Sequence, residues 1–496
     1  MEIVTKTLYS VLCDFAMQDA SKRLFFTEGR SYTAGDFLLE VKSLASELTA
    51  KGIGKGDMVV LRATRSIDVP VLFFALQALG SIVVLGDPHY SAYEVPSELE
   101  LPVKAFITNE GAGEGLSAEG NWVLDNGGKK TEIKLDQERK PIAFTEPEDT
   151  LYAPAVIIFT SGSTGGQKAV TLSQFNMVNH AYNYAYGGCY RQTDISVEML
   201  PLHHVFGLAV LLTAMVHRYE VYFPETVTPE TITESVSKYH VTRLDGVPSL
   251  LLSVAKYFEE REIRSNSLRI GVIGGAVISA EQFQYIERIL CLRLVPVYGM
   301  SECIGITGLP EDAEEEDRRL TVGVFLPLNQ GCILNDKGES LPEGMQGEIC
   351  VKSPVCTLGY YTKGRIVKEN VDAAGWLHTG DLGFLDCKGY VHVTGRKKDI
   401  IIRNGNNLSG NDIAQKLLSI YGVSDVLVVG IADETAGEVP AAMVVTTEEA
   451  LFREQNEKVL NRQERLARYC FVEKIPLTAS GKPDKMKAKE ILSSRK

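Results

Sequence analysis

The run FTSGSTGGQKAV, residues 159–170, is the first stretch of the sequence whose side chains could take part in chemistry. It lies directly after the apolar stretch APAVII. Glycines let an anion approach the backbone closely, and hydroxyl and ammonium groups can bind it. The run supplies such groups at Thr160, Ser161, Ser163, Thr164 and Lys168. These residues indicate a phosphate-binding loop, although the run taken alone could equally be a surface turn.

The run does not match the phosphate loop of kinases and ATPases. That pattern requires a second glycine five residues after the first, then lysine, then serine or threonine. Counted from Gly162, the glycine position holds Gln167 and the hydroxyl position holds Ala169. A kinase or ATPase, which would release ADP, is therefore disfavoured.

Further motifs follow this loop in a fixed order. They are LPLHHVFGL (200–208), IGGAVIS (273–279), VYGMSECIG (297–305), GWLHTGDLGF (375–384), GRKKDIIIRNGNNLSG (395–410) and PLTASGK (476–482). Together with the loop, they resemble the adenylate-forming superfamily of acyl-CoA synthetases, luciferases and peptide-synthetase adenylation domains. The resemblance extends over nearly the whole chain.

For the large domain, the resemblance implies a nucleotide site. Thr160, Ser161, Gly162, Ser163, Thr164 and Gly165, with Lys168, would cradle the β- and γ-phosphates of ATP. Glu302 would bind Mg²⁺ through a carboxylate, the ligand a hard cation prefers, within the motif that also contains Tyr298, Gly299 and Ser301. Gly274, Gly275 and Ala276 would lie against adenine, because small residues let a flat ring approach.

For the C-terminal part, the resemblance assigns Asp381 to the two ribose hydroxyls and Arg396 to the nucleotide, with a hinge at Lys398. Lys482 would reach the reacting carboxylate and α-phosphate. A flexible point charge suits a group that a moving domain brings in and withdraws. The segment before Lys482 is several residues shorter than in the family and lacks its YKxP element.

His204 stands in the PLxH motif of the synthetases. An acyltransfer condensation motif would need aspartate at position 208, which is Leu208. Amino-acid-activating domains tend to place at the position of His204 an aspartate that pairs with the substrate amine, which an imidazole cannot replace. His204 is therefore a candidate catalytic residue, and it favours a carboxylic acid without an α-amino group as the substrate. Both a fatty acid and an aryl acid are compatible with this inference.

These residues require an α/β scaffold to position them. Helical and strand patterns alternate through the first four hundred residues, and the character changes near residue 395. We expect a large N-terminal multi-subdomain α/β domain, residues 1–395, and a small mobile C-terminal α+β domain, residues 396–496, as in acyl-CoA synthetases.

Composition bounds the cellular setting. A net charge of −13 disfavours nucleic-acid binding. Nine cysteines without paired short spacings indicate reduced core thiols and a cytoplasmic protein. The apolar stretch at residues 69–86 predicts a buried helix followed by a buried strand, with no membrane span, and the N-terminus predicts an amphipathic surface helix.

The expected function is ATP- and Mg²⁺-dependent conversion of a small-molecule carboxylate to an acyl-adenylate, followed by acyl transfer to CoA. Loading of the phosphopantetheine of an acyl carrier protein is the alternative. A catalytically silent nucleotide-binding homologue is disfavoured by the joint presence of Glu302, Asp381, Arg396 and Lys482.

Overall fold

Strands and helices alternate along the chain in the computed structural model. The structure describes residues 2–88, 99–109, 122–133, 135, 143–161, 167–404, 406–433, 435–477 and 483–494. They divide into two compact units. Unit 1 comprises residues 1–330 and 352–377, and unit 2 comprises residues 331–351 and 378–496.

Regular elements account for most of the described chain. The helices are α1 Leu8–Gln18, α2 Ala34–Ala50, α3 Asp68–Ala78, α4 Gln174–Gly188, α5 Val205–His217, α6 Pro229–Tyr239, α7 Pro248–Glu260, α8 Ala280–Leu290, α9 Glu315–Leu320, α10 Gly410–Leu418, α11 Glu449–Val459 and α12 Lys485–Ser494. The strands are β1 Arg23–Phe26, β2 Ser31–Thr33, β3 Met58–Arg62, β4 Ile82–Gly86, β5 Val103–Asn109, β6 Trp122–Asn126, β7 Lys129–Ile133, β8 Pro154–Ser161, β9 Gln167–Ser173, β10 Ile195–Val197, β11 Glu220–Tyr222, β12 Ile270–Ile273, β13 Arg293–Pro296, β14 Tyr298–Met300, β15 Cys303–Gly308, β16 Val324–Phe325, β17 Gln330–Leu334, β18 Gly347–Lys352, β19 Gly359–Thr362, β20 Arg365–Val367, β21 Leu377–Leu385, β22 Val391–Arg396, β23 Ile400–Arg403, β24 Asn406–Ser409, β25 Val423–Asp433, β26 Gly437–Thr446 and β27 Arg468–Phe471.

The largest sheet of unit 1 has nine strands in the order β20-β19-β9-β8-β4-β3-β5-β6-β7. Its centre is parallel, because β3 pairs in parallel with β4 and β5, and β4 with β8. Strands buried on both faces are apolar throughout, as in MVVL of β3. Strand β9 follows β8 in the chain and pairs with it antiparallel. The predicted phosphate loop connects these two strands.

A second sheet of unit 1 has the order β10-β11-β1-β2. Arg243 forms isolated bridges both to β10 of this sheet and to β12, and Gly246 forms one to β12. Strand β12 in turn pairs in parallel with β13. The core of this second sheet includes the fully buried Phe258 of α7 and Phe283 of α8. The turn after β12 carries the predicted adenine stretch, so this sheet positions a second part of the candidate site.

Unit 2 contains a four-stranded sheet, β17-β18-β21-β22, and a five-stranded sheet in which β27 joins β26 of β24-β23-β26-β25. Alternation along β25 sends Val426 and Val428 to the core beneath α10 and α11. Leu427 and Val429 face the core beneath α12. This period-two pattern requires a helix layer on each face.

The structure confirms several predictions and corrects one. Residues 69–86 form buried α3 and then β4, as expected. No helix within the described ranges is long and apolar enough to cross a membrane. All nine cysteines are free, but the expectation of core thiols holds only for the buried Cys303, Cys350 and Cys470. Four others are half-buried, and Cys291 and Cys387 are exposed. The predicted domain boundary, 395/396, lies inside unit 2 and stays a prediction.

Candidate active site

The predicted phosphate loop lies at the tip of a hairpin. Thr160 pairs with Lys168, and Ser161 pairs with Gln167, in the antiparallel register of β8 and β9. Gly162, Ser163, Thr164 and Gly165 lie outside the described residues, as does the side chain of Ser161. The hairpin therefore fixes both ends of the loop, with Lys168 directly opposite Thr160.

Lys168 is held by two groups of unit 1. Its Nζ lies 2.9 Å from Oε2 of Glu369 and 4.5 Å from the centroid of the Tyr360 ring. An ammonium group over an aromatic face is attracted by the ring quadrupole. Sequence reasoning missed both partners, since neither lies in a motif that carries chemistry on its own.

Glu302 lies in the turn between β14 and β15, and only 7% of it is exposed. Its Oε1 accepts a hydrogen bond of 2.6 Å from the Tyr360 hydroxyl, and its backbone carbonyl accepts one of 2.7 Å from the N–H of Thr357. Burial, followed by the Glu302 charge, raises the pKa of Tyr360 well above its ordinary value, so the phenol stays a donor.

The remaining residues of this motif shape the same hairpin. A Cβ on Gly299 would lie 2.5 Å from the backbone nitrogen of Gly305, so only glycine lets the two strands approach. Tyr298 and Ser301 are both half-buried. The structure thus brings Lys168 and Glu302 together on one tyrosine, with Tyr298, Gly299 and Ser301 in the hairpin that carries Glu302.

The predicted adenine stretch follows β12 directly and is exposed over its last two residues. Gly275 has a φ of +83°, a left-handed conformation that favours glycine, and Gly275 and Ala276 are exposed. A Cβ on Gly274 would lie 2.8 Å from Cγ2 of Val297. Close packing behind and small residues in front suit an approaching flat ring.

His204 is the N-cap residue of α5 and is half-buried. Its ring centroid lies 4.2 Å from that of His203, and Nε2 of His203 lies 3.5 Å from Oδ2 of Asp87. Leu208 lies buried within α5. His204 is therefore presented at a helix N-terminus beside a second imidazole.

Unit 2 brings together Asp381 and Arg396. They are directly paired across β21 and β22, and Nε of Arg396 lies 2.6 Å from Oδ1 of Asp381. The N–H of Asp381 also donates to Oγ1 of Thr379 at 3.0 Å. Asp381 is buried, whereas about half of the Arg396 side chain is exposed.

The remaining predicted residues of unit 2 are not part of this pair. Lys398 is exposed in the short 3₁₀ turn Lys397–Asp399, and its role as a hinge stays a prediction. Lys482 lies outside the described residues. The role of Lys482 stays a prediction.

A cluster that sequence reasoning missed lies on the neighbouring strands β18 and β21. Glu348, Cys350 and His378 offer ligand atoms within 4.8 Å of one another. Oε2 of Glu348 lies 2.9 Å from Nδ1 of His378 and 3.0 Å from Nζ of Lys397. Burial opposes ionisation of Glu348, but bonds from His378 and Lys397 outweigh it and lower the pKa of this carboxyl. An ammonium group on the same oxygen favours a hydrogen-bonded brace over a metal site.

The family model described as "AMP-binding enzyme" matches residues 14–361, more than half of the chain. The chain belongs to the AMP-binding enzyme family. The model of the C-terminal domain of AMP-binding enzymes matches residues 412–482 of this family member as well. Both matches place it in the adenylate-forming superfamily and confirm the predicted resemblance.

Similar proteins agree with this membership. The AMP-binding enzyme is 26% identical to 4-coumarate–CoA ligase-like 1 of Arabidopsis thaliana, over 94% of this chain and 91% of the relative. Its fold is similar to that of ATP-bound MatB from Rhodopseudomonas palustris, with a TM-score of 0.85 and 22% identity over 98% of this chain and 99% of the other. It is also similar to o-succinylbenzoate CoA synthetase (MenE) of Bacillus subtilis in complex with OSB-AMP, with a TM-score of 0.80 and 23% identity over 98% of both chains. The predicted α/β fold is confirmed.

The donor set of the AMP-binding enzyme fits Mg²⁺. Oε1 of Glu302 is occupied by the Tyr360 hydroxyl, and within the described residues Oε2 accepts no hydrogen bond. A carboxylate oxygen is a hard donor, and it lies in the same part of unit 1 as the Lys168 ammonium. One cation-binding group and one anion-binding group in such proximity suit a metal-bound polyphosphate.

Proposed function

We propose that this AMP-binding enzyme activates a small carboxylic acid with ATP and Mg²⁺ and then transfers the acyl group to CoA. The observation that carries the proposal is the meeting of Lys168 and Glu302 on Tyr360. A lysine for phosphate oxygens and a carboxylate for a metal are the two groups that a metal–triphosphate substrate requires. The match of both family models supports the same assignment.

The first half-reaction makes the carboxylate an electrophile. A free carboxylate resists attack because oxide is a poor leaving group. A carboxylate oxygen attacks the α-phosphorus of ATP, the bond to the β-phosphate oxygen breaks, and pyrophosphate leaves. In the resulting acyl-adenylate, AMP is the leaving group.

Fixed charges would lower the barrier to this step, because negative charge concentrates around the α-phosphate in the transition state. Lys168 and the loop beside Thr160 would hold the departing phosphates. Glu302 would hold Mg²⁺, which supplies charge neutralisation on the phosphates. Lys482 would contact the attacking carboxylate and the α-phosphate together.

A separate set of residues would hold the nucleoside part of ATP. The open stretch Gly274, Gly275 and Ala276 would face adenine, and Asp381 would accept hydrogen bonds from the ribose hydroxyls. Arg396, which contacts Asp381, would orient this carboxylate while its exposed guanidinium binds the nucleotide.

The second half-reaction would use a thiol. The sulfur attacks the acyl carbonyl, a thioester forms, and AMP leaves with the electron pair of the broken carbon–oxygen bond. CoA is the proposed thiol, supported by the similarity to a 4-coumarate–CoA ligase-like protein. His204, which cannot pair with an ammonium as aspartate does, supports an acid without an α-amino group.

Isotope exchange between pyrophosphate and ATP tests the first step. We expect exchange only when a suitable acid is present, and 4-coumarate heads the panel, followed by other aryl acids, fatty acids and amino acids. Addition of CoA should then give an acyl-CoA. Thioester formation on a phosphopantetheinyl carrier protein and none on CoA would replace the proposed acceptor. ATP binding without exchange for any acid would indicate a silent nucleotide-binding homologue.

A further inference from the structure

Tyr360 contacts both charged groups of the candidate phosphate and metal site. Its hydroxyl donates to Oε1 of Glu302 at 2.6 Å, and its ring lies under Nζ of Lys168, 4.5 Å from the ring centroid. The side chains of Lys168 and Glu302 thus share one neighbour that is itself largely buried. Tyr360 stands outside the motifs from which the site was predicted.

The sheet explains how one tyrosine reaches both groups. Strand β19 pairs with the edge of β9, with Tyr360 opposite Val170 and Tyr361 opposite Ala169. Tyr360 is therefore diagonal to Lys168, which is two residues from Val170 on β9. Successive side chains of a strand alternate between faces, and Tyr361 accordingly packs on a separate apolar cluster with Ile157 and Ala169.

The two contacts use different parts of the tyrosine. A phenol that donates to a carboxylate makes a charge-assisted bond, which fixes the carboxylate in one orientation. The bond engages Oε1 and turns Oε2 away from the phenol. The ring face attracts the ammonium without forming a hydrogen bond. The N–H groups of Lys168 that do not contact Glu369 therefore stay available to oxyanions.

We propose that Tyr360 is a positioning residue that sets the Glu302 carboxylate for the metal and holds Lys168 over the same ring for the phosphates. The inference rests on the proposed function, since it takes Glu302 as the residue toward Mg²⁺. Tyr360 itself contacts neither metal nor substrate in this account. Its contribution to metal affinity passes through Glu302.

The test is metal binding rather than turnover. The Kd of Mn²⁺, a spectroscopic substitute for Mg²⁺, is measured by electron paramagnetic resonance in the presence of a non-hydrolysable ATP analogue. Tyr360→Phe removes the hydroxyl and keeps the ring under Lys168. We expect it to weaken Mn²⁺ binding roughly tenfold, the effect of losing a hydrogen bond to a charged group. Tyr361→Phe is the matched control and should leave the Kd unchanged.

A double-mutant cycle with Glu302→Gln separates positioning from a general structural role. If Tyr360 acts through Glu302, Tyr360→Phe should have little effect on Mn²⁺ binding once Glu302 is glutamine. An equal Mn²⁺ loss in both backgrounds would overturn the proposal, as would a Kd in Tyr360→Phe that equals the Kd in Tyr361→Phe. Thermal unfolding of each variant checks that the fold is retained.

Failure of this inference is distinguishable from failure of the proposed function. Acid-dependent pyrophosphate exchange in the wild type together with unchanged Mn²⁺ binding in Tyr360→Phe would refute only the role of Tyr360. The predicted Mn²⁺ losses in a protein that shows no exchange with any acid would support the role of Tyr360 and refute the proposed activity.

Discussion

Nε of Arg396 lies 2.6 Å from Oδ1 of Asp381, and the two residues face each other across β21 and β22. The carboxylate is buried and the guanidinium is about half exposed. A buried charge requires a partner, and Arg396 supplies it. The pair therefore fixes the orientation of the carboxylate that we assign to the ribose.

Substitution of Asp381 should remove ribose recognition. Asp381→Asn replaces one carboxylate oxygen with an amide donor, so one acceptor for hydroxyl groups is lost. We expect ATP affinity to fall about tenfold and the preference for ATP over 2′-deoxy-ATP to disappear. Calorimetric titration of both nucleotides into both proteins measures this.

The matched control is Asp386→Asn, in the same hairpin. Asp386 pairs with His392 at 3.0 Å, away from Arg396. The Asp386→Asn variant should bind ATP and 2′-deoxy-ATP with the same affinities as the wild type. An Asp381→Asn variant that still discriminates fully between the two nucleotides would refute the ribose assignment.

Glu369 should compete with phosphate for Lys168. The two side chains are 2.9 Å apart and partly exposed, so their ion pair is worth roughly 0.2–1 kcal/mol. Glu369→Gln should raise ATP affinity a few-fold at low ionic strength, and the gain should vanish at high salt. Fluorescence titration with a labelled ATP analogue at two salt concentrations tests this. Glu225→Gln, at another exposed position of unit 1, controls for net charge, and an equal gain in that variant would contradict the competition.

Lys482→Ala should separate the two half-reactions. The first step would lose the cation that contacts the carboxylate and the α-phosphate, and we expect its rate to fall at least about a hundredfold. Thioester formation from a preformed acyl-adenylate and CoA should be retained. Lys487→Ala, in the exposed part of α12, should slow neither step. Equal losses in both half-reactions of Lys482→Ala would show that the division of labour is wrong.

Glu198 should make stability decrease with rising pH. Burial raises the pKa of this carboxyl from 4.5 to about 8, so the folded protein holds the proton more tightly than the unfolded chain does. Its contribution to the free energy of unfolding is complete below about pH 4.5 and is lost as the pH rises through about 8. Glu198→Gln removes this titration and keeps an acceptor for the N–H of Leu200, which bonds Oε1 at 3.1 Å.

The measurement is thermal unfolding of the wild type and Glu198→Gln between pH 5 and pH 9. The Tm of the wild type should fall relative to that of the variant as the pH rises. Parallel curves over this range would mean that Glu198 is charged in the folded protein throughout.

Local pattern was sufficient to predict much of the fold. Apolar length and the breaks at Pro70 and Gly80 predicted α3 and β4. Motifs indicated Lys168, Glu302, Asp381 and Arg396, each of which lies on or beside a regular element in the structure. These features depend on neighbours in sequence, and sequence reasoning can therefore recover them.

Contacts between distant segments were not predictable in this way. Tyr360 and Glu302 are separated by 58 positions, and Lys168 and Glu369 by 201. The pairing of β19 with β9 brings Tyr360 to Lys168, and the bond from the Thr357 N–H to the Glu302 carbonyl brings the same segment to Glu302. No spacing in a single sequence specifies either contact. The brace of Glu348, His378 and Lys397 escaped prediction for the same reason, because it joins two strands and a turn.

The nucleotide product tests the central claim most directly. The protein is incubated with ATP, Mg²⁺ and the acid panel, with and without CoA, and the phosphorus species are followed by ³¹P nuclear magnetic resonance. The account predicts AMP and pyrophosphate only with a particular acid, with turnover that increases when CoA is added. ADP and inorganic phosphate as the products would contradict it.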